Sequence, residues 1–150
     1  MSDDPATETA TAEDGDLYDV IIIGGGPAGV AAGIYAGRGR LKTLVLDAMG
    51  GGGQLNVIDT IENYPGFLEP QTGPELFEAM RGQMERFGVS ITFDSVEKVE
   101  ASEEVITVVG DAATYRGRTL IVATGARHRE LCVEGEEELK GRGVSYCATC

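Results

Sequence analysis

Tyr18-Asp19-Val20-Ile21-Ile22-Ile23-Gly24-Gly25-Gly26-Pro27-Ala28-Gly29 is the stretch that decides the fold. Its isoleucine-rich run has the unbroken apolar character of a strand buried on both faces, and it runs straight into a glycine cluster. A helical segment follows, so the order is strand, turn, helix. Gly24, Gly26 and Gly29 keep the G-x-G-x-x-G spacing, and each glycine has its own task. Gly24 permits the tight turn, Gly26 lets backbone amides approach a pyrophosphate, and Gly29 lets the helix lie close on the strand. Pro27 suits the first helical turn, where its missing N–H costs nothing. A pyrophosphate would then sit at the positive end of the helix dipole.

A lone glycine fingerprint is a weak signal, and a plain glycine-rich turn is the competing reading. The sequence around it favours a nucleotide. The helix read over residues 27–39 leads through Gly39-Arg40 into a second apolar run, Lys42-Thr43-Leu44-Val45-Leu46, closed by Asp47. That carboxylate follows the first glycine at the distance of about twenty residues where an acidic side chain binds a ribose hydroxyl. It would also repel a 2′-phosphate, which favours FAD or NAD over NADP at this site. The fold class expected is α/β, a Rossmann-like dinucleotide-binding domain with a parallel sheet.

The chain has 150 residues, enough for one domain with a core, whereas an enzyme with two dinucleotide sites needs about twice that. A formal net charge of -13, from 12 basic and 25 acidic residues, argues against a nucleic-acid partner. Only Lys42, Lys98 and Lys140 are lysines; an acidic protein of ordinary habitat and one adapted to high salt both fit this balance. No apolar run reaches the eighteen or so residues of a membrane span, and residues 1–16 have neither the basic nor the apolar region of a signal peptide. The expected location is the cytoplasm, without membrane attachment. There, three cysteines are not a structural disulfide framework.

Residues 1–16 read as a disordered acidic tail. The run Gly50-Gly51-Gly52-Gly53 lacks a helical period, and residues 56–74 read as loop, punctuated by Pro65-Gly66, Pro70 and Gly73-Pro74. A helix is expected over residues 74–87, with Leu76, Met80, Met84 and Phe87 on its core stripe. Residues 89–93 read as a strand. Residues 96–100, 105–109 and 113–115 read as a β-meander, and residues 120–123 as a further strand of parallel type ending in Thr124-Gly125. Residues 126–143 read as a charged connector whose patch 134–138 faces solvent.

Ser145-Tyr146-Cys147-Ala148-Thr149-Cys150 carries the reactive groups. Two thiols separated by two small residues can cycle between dithiol and disulfide, and C-x-x-C beside a dinucleotide fold reads as a redox pair. The alternative is zinc, with His128 and Cys132 completing four ligands. Cys132 by itself reads as a partly buried small hydrophobe.

Taken together, the motifs resemble the low-molecular-weight thioredoxin reductases of the FAD-dependent pyridine nucleotide-disulfide oxidoreductases. The resemblance rests on residues 19–29, Gly52-Gly53-Gln54-Leu55, Glu62-Asn63-Tyr64-Pro65-Gly66-Phe67, Ala123-Thr124-Gly125-Ala126 and residues 141–150. It implies FAD held at the pyrophosphate by Gly25, Gly26, Pro27 and Ala28, with Asp47 at the ribose. Gly53, Gln54 and Asn63 would lie toward the flavin, Val96 at the adenine, and Thr124 and Gly125 along the cofactor. It implies further that NADPH reduces the flavin, which reduces the Cys147–Cys150 pair. Cys150 would lie next to the flavin, and Cys147 would attack thioredoxin, in a homodimer. Related enzymes taking electrons from ferredoxin or serving a peroxiredoxin-type partner, and a flavin module without turnover, are the alternatives. The expected division is 1–16 tail, 17–126 first part of an FAD-binding domain, and 127–150 the start of a second, NADPH-binding domain carrying the dithiol. Cys132 and Glu134 stand where the family has glycine and proline. The second glycine fingerprint and the returning segment of the FAD domain are expected beyond residue 150.

Overall fold

A computed structural model describes residues 17–146. The expected tail and the Cys147–Cys150 pair lie outside the described residues. Among the described residues six strands form one sheet in the order β3-β2-β1-β6-β5-β4. At its centre β1 (Leu17–Ile23) runs parallel to β2 (Thr43–Asp47), pairing Ile22 with Val45. On the other side it runs parallel to β6 (Thr114–Val122), pairing Ile22 with Ile121. A central strand with layers on both faces has no polar position to spare. Val20 and Ile22 accordingly enter one hydrophobic cluster and Ile21 the other.

The first cluster is closed by α1 (Pro27–Arg38) and α2 (Gly73–Glu85), which press Val30, Ile34, Leu76, Phe77 and Met84 onto the sheet. Ile21, Leu44 and Leu46 form the second with Val108 of β5 (Ile106–Gly110). Ile21, Ile22 and Val45 are fully buried, and each contributes about 1.5–3 kcal/mol by leaving water.

Along α1, Gly29, Gly33 and Gly37 recur every fourth residue and form one stripe. A Cβ on Gly33 would stand 2.5 Å from Met84 Sδ, and one on Gly37 2.9 Å from both Phe87 Cβ and Val89 Cγ2. The glycines thus trade helix propensity for close approach of α1 to α2 and the chain beyond it. α2 starts at a capping box: Thr72 Oγ1 accepts the Glu75 N–H at 3.3 Å, and Glu75 Oε2 accepts the Thr72 N–H at 2.9 Å. The helix therefore begins one residue before Pro74. It ends at Glu85, so Phe87 falls past its end and stays exposed, while Phe77 takes a core position.

Strand β3 (Ile91–Phe93) is shorter than expected and pairs only with β2; Val89 is buried without joining it. The segments read separately at 113–115 and 120–123 are one strand, β6. Its first half pairs antiparallel with β5, which in turn pairs with β4 (Val96–Ala101), and its length runs parallel to β1. Gly117 in its middle is tolerated because a Cβ there would lie 2.8 Å from Ile21 Cγ1. The loop read over residues 56–74 opens inside a short 3₁₀ helix, Gly53–Val57, whose Leu55 is buried against α2.

The connector contains one helical turn, α3 (Glu136–Leu139). Glu136, read as solvent-facing, is buried, because its carboxylate accepts the N–H groups of Leu131 at 2.9 Å and Val133 at 3.4 Å. Those bonds, that of Leu131 foremost, hold its pKa below the ordinary glutamate value against the opposing effect of burial. Cys132, read as partly buried, is exposed and sits at φ 56°, the left-handed region natural to the glycine expected there.

Gly37→Ala is expected to lower unfolding free energy by about 1–2 kcal/mol in urea titration, because overpacking outweighs the gain in helix propensity. An unchanged or raised midpoint would show that α1 and α2 have room between them.

Candidate functional site

The carboxyl ends of β1, β2 and β6 meet at a cleft of about 410 Å³. Open α/β sheets bind ligands at this edge, where strand ends diverge. Gly24 turns the chain out of β1 at φ 106°, and a Cβ on it would strike the Ala123 carbonyl. A Cβ on Gly29 would strike the Gly24 carbonyl, so that position sets how closely α1 abuts β1. Gly26 has nothing within 4 Å of a Cβ position and opens on the cleft. Among the described residues no side chain caps α1, and uncapped first-turn amides at the positive end of a helix suit an anion.

Asp47, at the end of β2, joins three segments. Its Oδ2 accepts the Gly25 N–H at 2.7 Å, and its Oδ1 accepts those of Met49 at 2.8 Å and Gly51 at 2.9 Å. Both oxygens already accept backbone bonds, yet a carboxylate has about four lone-pair sites, and the residue still borders the cleft. The glycine run explains itself here: Gly50, Gly51, Gly52 and Gly53 all have positive φ, from 53° to 103°. The Gly52 N–H then bonds the Gly25 carbonyl at 3.0 Å, tying the second loop to the first. Across the cleft, Gln54 Nε2 donates to the Ala126 carbonyl at 3.0 Å.

Of the residues singled out from sequence, Gly24, Gly26, Pro27, Ala28, Asp47, Gly53, Gln54, Val96, Thr124 and Gly125 border this one cleft. Gly25 and Gly29 lie buried behind its wall. Asn63 is exposed and does not border it. Sequence reading missed Leu46, Met49, Asp94, Ser95, Ala123 and Arg127, which also line it. Asp94 is the most unusual of these, a buried carboxylate accepting the Tyr115 hydroxyl at 2.8 Å and the Ala112 N–H at 3.0 Å. Burial alone would raise its pKa, but the bonds from Ala112, Tyr115, Ala113 and Ser95 together outweigh it and hold the group below the ordinary value of 3.8. Burial first, and then the bond to Asp94, push the Tyr115 phenol up to about 12.

His128 and Tyr146 stack with ring centroids 3.9 Å apart. Among the described residues no group of three or more His, Cys, Asp or Glu side chains is arranged to hold a metal. Also among them, no helix is long and apolar enough to cross a membrane.

The family model for pyridine nucleotide-disulphide oxidoreductases matches residues 18–150. The chain belongs to that family. It is 49% identical over 134 residues to a thioredoxin reductase of Mycolicibacterium smegmatis, covering 89% of this chain and 43% of the relative. A solved thioredoxin reductase of Streptococcus pyogenes superposes with a TM-score of 0.80 at 43% identity, over 90% of this chain and 44% of the other. A ferredoxin-flavin thioredoxin reductase of Clostridium acetobutylicum gives a TM-score of 0.68 at 33% identity, over 89% and 46%. The chain thus spans less than half the length of the relatives it matches. As in these family members, its fold is the Rossmann-like α/β arrangement of the FAD-binding domain.

Two outcomes are expected from this geometry. Gly29→Ala forces α1 away from the strand and should lower unfolding free energy by about 1–3 kcal/mol in urea titration. An unchanged midpoint would mean that the close approach is dispensable. Asp94 has a depressed folded pKa, so its stabilising effect is full above the unfolded value and disappears as pH falls through the folded one. The stability difference between wild type and Asp94→Asn should therefore be constant at neutral pH and close below about pH 4. A difference independent of pH would contradict an ionised Asp94.

Proposed function

We propose that the chain is the FAD-binding part of a thioredoxin-disulfide reductase that uses NADPH and the Cys147–Cys150 redox pair. The observation that carries this reading is the cleft itself. Open backbone at Gly26, the uncapped start of α1 and the Asp47-bound loops border one cavity, in a family match that runs on to the C-x-x-C. The residues fit FAD: amides for a pyrophosphate, a carboxylate near a ribose, and the Val96 backbone along the rim for a base. Bound there, FAD would supply a two-electron relay between a nicotinamide and a disulfide.

The protein's own groups have distinct tasks. Gly26, Pro27 and Ala28 hold the pyrophosphate, Gly53 and Gln54 line the side toward the connector, and Thr124 with Gly125 close the edge after β6. The Cys147 thiolate attacks one sulfur of the thioredoxin disulfide, forming a mixed disulfide and releasing the other sulfur as a thiolate. The Cys150 thiolate then attacks Cys147 Sγ, releasing the second thioredoxin thiol and leaving Cys147–Cys150 oxidised. Residues 17–126 form the first part of the FAD domain, residues 127–150 open the nicotinamide domain, and the whole enzyme acts as a cytoplasmic homodimer. The names of the relatives support the acceptor. A structural relative is a ferredoxin-flavin thioredoxin reductase, so the donor is decided by assay.

The test is NADPH oxidation by the full-length yellow protein with thioredoxin. Turnover is expected, with a loss of at least about a hundredfold in Cys147→Ser or Cys150→Ser while FAD content is kept. A colourless protein, or undiminished turnover in the double variant, would contradict the proposal. Flavin reduction without disulfide turnover would point to a bare flavin module, and turnover with reduced ferredoxin alone would reassign the donor.

A further inference from the structure

We infer that Asp94 and Tyr115 are positioning residues for the adenine end of the dinucleotide, and that through the rim they hold, Asp94 to Val96, the site selects its base. The inference rests on the FAD reading of the cleft. Neither residue belongs to a glycine loop, and they lie 21 positions apart. The fold brings them together at the rim, where Asp94, Ser95 and Val96 border the cavity.

Every bond around Asp94 fixes that rim. Its N–H donates to the Asp47 carbonyl at 3.2 Å, joining it to the residue that organises the glycine loops. The Ser95 carbonyl accepts the Asp111 N–H at 3.0 Å. The carboxylate takes the Ala112 N–H and the Tyr115 hydroxyl, so one buried charge draws the 110–113 turn and β6 onto the rim. Gly110 is glycine for the same reason, since a Cβ there would run into the Asp94 carboxylate. Between Val96 and Lys98 the pairing with β5 shifts register. Such irregularities re-aim backbone beside binding sites.

A buried carboxylate normally costs stability unless it is fully bonded. A rim could be closed by apolar packing alone. The Asp94 charge instead fixes the backbone of a short segment through directional bonds, and reading a base edge needs fixed donors and acceptors. Adenine presents an acceptor at N1 and a donor at its 6-amino group, and hypoxanthine presents the reverse. A fixed backbone edge therefore favours one over the other, and a loose one does not.

The experiment uses the full-length apoprotein and compares dissociation constants for ADP and IDP. Wild type is expected to prefer ADP by at least about tenfold. Tyr115→Phe and Asp94→Asn should bring the two affinities within about twofold of each other and weaken FAD by about tenfold. Gly37→Ala, destabilised far from the rim, serves as control and should keep the preference. Loss of preference in the control too, equal ADP and IDP binding by wild type, or an undiminished preference in Tyr115→Phe would each overturn the inference. Absence of ADP and FAD binding by wild type would instead overturn the cofactor reading on which it rests.

Discussion

The architecture of the cleft depends on one carboxylate. Asp47 ends β2 and accepts backbone N–H groups from Gly25 in the loop after β1 and from Met49 and Gly51 in the glycine-rich loop that follows it. Neither loop has side chains of its own to pack, and glycine-rich backbone loses more conformational entropy on ordering than any other. Charge-assisted bonds from a residue anchored in the sheet offset that loss. Because β2 is paired on both sides, the loops take their position from the sheet.

The sheet in turn is held by a division of apolar residues along β1. Alternate side chains enter clusters on opposite faces, and the glycine stripe of α1 brings one covering helix close enough to seal its side. The start of α1 is thereby carried to the sheet edge with its amides uncovered. Packing and an open helix start fall to different glycines of one stretch: Gly29 and Gly33 serve the first, and Gly26 the second. In a chain of net charge -13, the start of such a helix offers a phosphate group a locally favourable field.

What the sequence made legible was whatever lies in short, periodic or glycine-marked stretches. The β1-α1-β2 unit and most of the cleft belong to that class. The two readings of β6 were a failure of periodicity, because Arg116, Gly117 and Arg118 interrupt the apolar pattern of a strand that changes partners along its length. The 3₁₀ helix after Gly52 is too short to show a period. Asp94, Tyr115 and Glu136 were out of reach for another reason: a polar side chain is written alike whether it is solvated or bonded within the core, and only the fold supplies its partners. Cys132 was misjudged from residue type, whereas its position is set by a turn that asks for glycine.

The central claim is that a single dinucleotide spans this cleft with its phosphates on α1 and its base at the rim. A crystal structure of the intact protein with bound FAD measures this directly. The pyrophosphate is expected over the amides of Gly26 and Ala28 and the adenine against the Val96 backbone. A cofactor whose phosphates lie away from the start of α1, or a cleft filled by protein side chains in the complex, would contradict the account.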